Sequence, residues 1–384
     1  MTDYSVLPAL VDERLAGGRL HIDLDALVSN WKKLCSLAPD AKTSAVVKAD
    51  AYGLGIEPVV NALNDAGCNI YFVALPEEGV RVKKLAPQAD VFVLGGLFKN
   101  SVSTYAEAGL IPVLGSVENI ELWANFWRER GSRRPCAIHV DTGMNRLGLR
   151  LEEARAFVGD DERRHSISPF MMMSHPACAD EPDHPKNAEQ LAMFKEAIGL
   201  FPDIEYSFSN SASIIAHKDF SFDLNRPGIA IYGGEAVFGL ANPMKPVVTL
   251  EARIIQIRMV KAGETIGYAA THTFTRDSKV ALVAVGYADG YRRSSFDNSA
   301  PQNAPGFLCG QEVPGIGRIS MDISAFDVTD VPEQALEKAE WIELFGENLA
   351  LDDVARATGT IGYELLTGLG PRYSRSYISS KTGG

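Results

Sequence analysis

From about residue 43 to residue 232 the chain repeats one pattern eight times: a short apolar run rich in β-branched and aromatic residues, then a stretch with helical spacing. The runs are residues 43–48, 69–74, 90–94, 111–115, 136–141, 168–174, 205–209 and 228–232. After the first, Pro58 near a start, Val59, Val60 and Leu63 on one face and Gly67 as a stop predict a helix. Ser116 as a cap, with Ile120, Trp123 and Trp127 on one stripe behind it, predicts another. Eight β/α units in a segment of this length suggest a closed parallel sheet rather than an open one, so the expected fold is a (β/α)8 TIM-like barrel.

The pattern stops at Asn242-Pro243-Met244-Lys245-Pro246, where two prolines mark a boundary. The expected domains are a barrel over residues 16–242 and a second domain over 243–384, with residues 1–15 associated with the latter. In the second domain Leu250, Ala252 and Ile254 alternate with Glu251 and Arg253, and then Ile255, Ile257 and Met259 take the opposite register. A β-bulge explains such a step. Residues 279–287 form another strand candidate, and turns at Gly263, Gly315 and Gly317 complete a mostly antiparallel β domain. Two short helices are expected near 332–345 and 351–358.

Composition narrows the function. A formal charge of −12 and a pI near 5.2 supply no basic field for nucleic acid or an acidic membrane surface, which leaves small metabolites as partners. Five cysteines, Cys35, Cys68, Cys136, Cys178 and Cys309, are odd in number and never spaced as C-x-x-C, which argues against a disulfide framework or a zinc site. The first eight residues lack a basic n-region and an apolar h-region, and no apolar run reaches the roughly 18 residues of a membrane span. A cytoplasmic protein is expected.

The phosphate-loop, Rossmann, zinc-protease and hydrolase signatures are all missing. Lys48, in Val46-Val47-Lys48-Ala49-Asp50-Ala51-Tyr52-Gly53-Leu54-Gly55, stands where the first barrel strand should end at the catalytic face. Partial desolvation there would lower its pKa and free the amine for imine chemistry. On position alone, a lysine snorkelling to solvent at a strand end is the simpler reading. Arg146, His175 and Ser211 occupy the same relative place in their own units, as active-site residues of a barrel do. Each also has a bland alternative: Arg146 could pair with Asp141, His175 could be a structural histidine near a proline turn, and Ser211 could cap the next helix. A capped helix start would still offer N–H groups to a phosphate.

The Lys48 segment resembles the cofactor-lysine motif of the alanine racemases. Arg226-Pro227-Gly228-Ile229-Ala230-Ile231-Tyr232-Gly233, Ile266-Gly267-Tyr268, Gly286-Tyr287-Ala288-Asp289-Gly290-Tyr291, Gly317-Arg318-Ile319-Ser320-Met321-Asp322 and Gly362-Tyr363-Glu364 resemble further motifs of that family, in family order, over about residues 16–375. The resemblance implies pyridoxal phosphate as cofactor and a head-to-tail homodimer with active sites shared between subunits. It makes Lys48 both the cofactor anchor and the acid/base on one face of the substrate α-carbon, with Tyr268 of the other subunit as the base on the opposite face. Racemisation needs two such groups, because the proton leaves one side of a planar carbanion and returns to the other. His175 beside Tyr268 and Arg226 behind His175 would stabilise the phenolate. Arg226 would also face the pyridine nitrogen without giving up its own proton, which limits side transamination.

By the same resemblance Tyr52, Ser211, Tyr363 and the backbone N–H groups of Gly228 and Ile229 hold the phosphate. Arg146 and the backbone of Met321 from the partner subunit take the substrate carboxylate, and Tyr287, Asp180, Arg318 and Ile361 line the entry channel. Two departures stand out. Many members of the family carry a lysine, often carbamylated, two residues before the Asp-Thr-Gly segment, where this chain has His139; a chloride or Asn145 could orient Arg146 instead. Residues 294–310 form a longer stretch than usual. The function implied is interconversion of L- and D-alanine, supplying D-alanine for peptidoglycan. Rival readings are a racemase of serine or of broader range, a barrel-type pyridoxal-phosphate decarboxylase, whose glycine-rich and cysteine-containing motifs are missing here, and a cofactor carrier without catalysis.

Overall fold

The computed structural model describes residues 11–293 and 304–380; residues 294–303 of the long stretch noted above, the first ten residues and the terminal 381–384 lie outside the described residues. The chain divides into two compact units, one spanning Leu27–Met244 and the other joining the N-terminal residues up to Ala26 with those from Lys245 onward.

The first unit is built on seven parallel strands in sequential order: Ala45–Val46, Ile70–Val73, Asp90–Val93, Ile111–Leu114, Pro135–His139, Ser168–Met173 and Glu205–Ser207. An eighth strand, Leu224–Asn225, pairs in parallel with Lys42–Thr43 and closes the (β/α)8 barrel. Closure continues where Ser44 N–H donates to Asn225 O (3.0 Å) and Arg226 N–H donates to Ser209 O (3.0 Å). The run at 228–232, expected as the eighth strand, is a 3-10 turn, Ile229–Tyr232, with all four side chains buried. Burial on every side produces an apolar run whatever the backbone does, so composition pointed four residues too far along.

Parallel strands covered on both faces read as continuous apolar runs. Accordingly Tyr71-Phe72-Val73, Val91-Phe92-Val93 and Met171-Met172-Met173 are all buried. The helix Ile56–Asp65 turns Ile56, Val59, Val60 and Leu63 inward, beginning two residues before Pro58. In Val117–Arg128 the Ser116 Oγ accepts the Asn119 N–H (3.2 Å) as its cap, and Ile120 and Trp123 are buried.

The second unit centres on the long strand Val248–Val260, antiparallel to Gly18–Asp23, Ser278–Val283 and Trp341–Phe345. The register against Ser278–Val283 shifts between Ile254 and Gln256, where the side-chain alternation changes phase in the sequence. Gly18–Asp23 also pairs in parallel with Ser374–Ile378, and these hydrogen bonds group residues 18–23 with this unit, whereas the sequence pattern placed the start of the barrel at residue 16. The stretch expected as one helix near 332–345 is a single turn, Glu333–Leu336, followed by the strand Trp341–Phe345. Helices Leu351–Ala357 and Gly362–Thr367 follow.

Candidate active site

Lys48 comes directly after the first barrel strand and is half-buried. Burial pulls its ammonium below the usual lysine range, Arg146 lowers it further by like-charge repulsion, and Glu78 works in the opposite direction. The backbone then turns left-handed: Ala49, Asp50, Ala51 and Tyr52 have φ of 53°, 54°, 55° and 55°. For L-residues this conformation costs roughly 1–2 kcal/mol each, so it persists only where outside contacts hold it.

The turn delivers Tyr52 onto Tyr232, ring centroids 4.4 Å apart and planes 24° apart. Its hydroxyl stands so close to Gly228 that a Cβ there would lie 2.1 Å from it. Gly228 N–H donates to Ser211 Oγ (2.8 Å), and Ala230 N–H reaches the same oxygen at 3.4 Å. Tyr52, Ser211 and Gly228 therefore gather at one polar cradle, with Ile229 next in the chain. Ser211 is the first residue of the helix Ser211–Ala216, and the cap is Asn210, whose Oδ1 accepts the Ser213 N–H (3.0 Å). That leaves the Ser211 hydroxyl facing the Gly228 backbone.

Arg226 leaves the eighth strand only 4% exposed. Its Nη1 donates to Ser207 Oγ (2.5 Å), and its Nη2 donates to Ser174 O (2.6 Å) and reaches His175 Nδ1 at 3.4 Å. Burial brings the guanidinium down to about 9, which leaves it cationic at neutral pH. Burial first, then Arg226, Arg146, His139 and Lys48, hold the His175 imidazolium well below its usual range, so the ring is neutral. Guanidinium can only donate, so His175 Nδ1 accepts and its proton sits on Nε2, pointing away from Arg226. Gln190 Nε2 fixes the segment by donating to His175 O (3.1 Å) and Thr142 Oγ1 (3.3 Å).

Arg146 is exposed on the loop between His139 and Leu149. Asp141 organises that loop rather than pairing with Arg146: its Oδ1 accepts N–H bonds from Gly143 (2.9 Å), Met144 (2.9 Å) and Asn145 (3.1 Å). Leu149 N–H donates to His139 O (2.8 Å) and closes it. His139 itself is buried, and burial with Arg226 pushes its ring down to about 4, so a neutral imidazole stands at this position. Asp180 is half-buried, and its carbonyl accepts the Phe238 N–H (2.9 Å).

The remaining expected residues lie in the second unit. Tyr268 is 68% exposed and opens a 3-10 turn in which Ala269 and Ala270 both have positive φ. With Gly267, Arg318 and Ser320 it lines a cavity of about 380 Å³. Tyr287 N–H donates to Ser320 O (3.1 Å) and Ala288 N–H to Met321 O (3.0 Å), which brings Tyr287 and Met321 together. Arg372 braces both segments through Asp289 (2.6 Å) and Asp322 (2.8 Å). Ile361 caps the helix that carries Tyr363, and both side chains are exposed. Glu78, Ser207, Gln190 and Arg372 are supports that no sequence motif singled out. Asp289 and Asp322, each inside a quoted motif, left a signal pointing toward Arg372.

Two family models match, one described as "Alanine racemase, N-terminal domain" over residues 22–236 and one as "Alanine racemase, C-terminal domain" over residues 247–377. The chain is 48% identical over 369 residues to an alanine racemase of Rhizobium meliloti (strain 1021), spanning 94% of this chain and 97% of that one. Over 366 residues it is 48% identical to a biosynthetic alanine racemase of Agrobacterium fabrum, spanning 94% and 93% of the two chains. Among solved structures, the alanine racemase of Bartonella henselae with covalently bound pyridoxal phosphate superposes with a TM-score of 0.88 at 36% identity, covering 94% of this chain and all of that one.

Proposed function

The chain belongs to the alanine racemase family and interconverts L- and D-alanine with pyridoxal phosphate, and on that premise we propose that Lys48 and the Tyr268 of a second copy move the α-proton on opposite faces of the substrate. The residues present fit the cofactor. A glycine leaves room beside the Tyr52 hydroxyl where any side chain would collide, and a half-buried lysine stands four residues away with its ammonium destabilised. Lys48 would hold the cofactor, with Tyr52, Ser211, Tyr363 and the N–H groups of Gly228 and Ile229 on its phosphate and Arg226 facing its ring nitrogen. When bound, pyridoxal phosphate supplies a conjugated ring that takes up the electron pair left on Cα as the proton departs.

The observation that carries the two-base reading is the Arg226–His175 pair. A tyrosine hydroxyl, with an ordinary pKa of about 10, serves as a base near neutral pH only if its phenolate is stabilised. His175 meets that need: Arg226 occupies Nδ1, so the neutral ring has an Nε2–H to donate. Tyr268, largely exposed on its own chain, is available to a second copy, which supports a homodimer with shared sites. Arg146, on the loop pinned by Asp141, and the Met321 backbone of the second copy bind the substrate carboxylate in this scheme. Tyr287, Asp180, Arg318 and Ile361 form the approach. Among the described residues no helix is long and apolar enough to cross a membrane, and the five cysteines are unbonded. Both observations suit the cytoplasm, where D-alanine would be made for peptidoglycan.

Purified chain incubated with pyridoxal phosphate and L-alanine should yield D-alanine and no carbon dioxide on chiral and gas analysis, with L-serine run in parallel. Borohydride should trap the cofactor on the peptide containing Lys48; a label on any other lysine overturns the site assignment.

A further inference from the structure

The left-handed turn after Lys48 contains four consecutive non-glycine residues at positive φ, and two side chains of a single helix, Pro76–Leu85, hold it from outside. Glu78, only 8% exposed, accepts the Ala49 N–H at Oε1 (2.6 Å) and the Ala74 and Leu75 N–H groups at Oε2 (2.9 and 3.0 Å). Three residues further along the same helix face, Arg81 Nη2 donates to Asp50 Oδ1 (3.1 Å), and that oxygen also accepts the Ile56 N–H (3.0 Å). The turn is thereby tied at its first residue by Glu78, and at its second by Arg81 and the start of the next helix. Both oxygens of Glu78 face N–H donors. Only a carboxylate accepts on both sides; an amide of the same shape would set its own NH2 against one of them.

We propose that Glu78 is a positioning residue for Lys48: through the Ala49 N–H it holds the strained turn that fixes where the Lys48 amine stands, and Arg81 assists through Asp50. The proposal rests on Lys48 being the cofactor lysine. Glu78 touches neither substrate nor cofactor in this scheme and acts only through the backbone and its charge. The groups facing Lys48 are Arg146 and a neutral His175 from two loops, and Glu78 from this helix. Glu78 is the one that favours the ammonium form, so losing its charge moves Lys48 deprotonation to lower pH.

The test compares Glu78→Gln, Glu78→Asp and Arg81→Met in the full chain with wild type. Three quantities are read: amide hydrogen exchange of the peptide spanning residues 47–55, the pH dependence of Lys48 labelling by an amine-reactive reagent in cofactor-free protein, and kcat and KM of the holoenzyme. In Glu78→Gln the exchange of 47–55 should rise about tenfold or more while the other barrel strands are unchanged. Its Lys48 labelling curve should move to lower pH, and kcat should fall about tenfold with KM for alanine little changed. Glu78→Asp keeps the charge on a shorter arm, so exchange rises and the labelling curve stays. Arg81→Met likewise raises exchange without moving the curve. Unchanged exchange at 47–55 in Glu78→Gln, or exchange raised equally across the barrel, overturns the proposal. Borohydride trapping on a different lysine in wild type would instead remove the premise, and the exchange data would separate that failure from a failure of the clamp.

Discussion

Gly228→Ala tests the phosphate cradle most directly. A Cβ at this position would lie 2.1 Å from Tyr52 Oη and 3.0 Å from Tyr52 Cζ, whereas ordinary contact begins at 3.4 Å. The hydroxyl must therefore retreat by about 1 Å, since non-bonded atoms gain nothing closer than their contact distance. Tyr52 has little freedom to do so, being 5% exposed and stacked on a Tyr232 that is 1% exposed. Gly228 has φ of −125° and ψ of −93°, so alanine brings no left-handed penalty but meets a backbone conformation outside the main regions allowed to L-residues, which adds to the collision. Overpacking of this kind costs about 1–3 kcal/mol of stability. Moving Tyr52 off a phosphate removes a hydrogen bond to a charged acceptor worth about 1.5–3 kcal/mol, or roughly 10- to 100-fold in cofactor affinity. Absorbance titration of cofactor-free protein with pyridoxal phosphate reads the affinity, and urea unfolding reads the stability. Combining Gly228→Ala with Tyr52→Phe deletes the colliding oxygen and leaves the milder 3.0 Å approach to Cζ, so stability should return in part while affinity stays weak. Wild-type affinity in the single Gly228→Ala variant would refute the placement of the phosphate in this cradle.

Two further outcomes are expected. Tyr268→Phe should cripple α-proton exchange from L-alanine far more than from D-alanine, with equal losses counting against two opposed bases; mixing Lys48→Ala with Tyr268→Ala chains should restore about one site per heterodimer, and absence of rescue would mean the site is not shared. His139 titrates at about 4 when folded, against 6.5 for an ordinary histidine, so the unfolded chain binds more protons between those values. Its contribution is present above the unfolded pKa, is lost as pH falls from 6.5 toward 4 and is constant below that; the two values set its size at about 3 kcal/mol. In urea unfolding His139→Gln should flatten the acid limb by about that amount, and a limb identical to wild type would refute the neutral buried ring.

The candidate site residues were legible in the sequence, and the residues that hold them were not, for a physical reason. Lys48, Arg146, His175 and Ser211 follow barrel strands, so counting strands placed them on one face before any contact was known, whereas Arg226 came only from the family resemblance, because the run counted as the eighth strand began after it. The same counting slipped at the last strand. Leu224–Asn225 is two residues long and ends in a buried polar side chain, whereas Ile229–Tyr232 carries the apolar signature without the extended backbone. Ser211 and Asn210 are both good caps by residue type, and only the Ser213 N–H decides between them. Glu78 and Arg81 show why supports stay hidden. Charges three apart on a helix read as a solvated face, and nothing local marks them otherwise. Their tasks come from the Ala49 N–H, 29 residues before Glu78, and from the Asp50 carboxylate, in a turn whose left-handedness no propensity predicts for Ala-Asp-Ala-Tyr. A local pattern can report where a chain must end a strand. It cannot report which distant carboxylate lets the next four residues adopt a conformation they would otherwise leave.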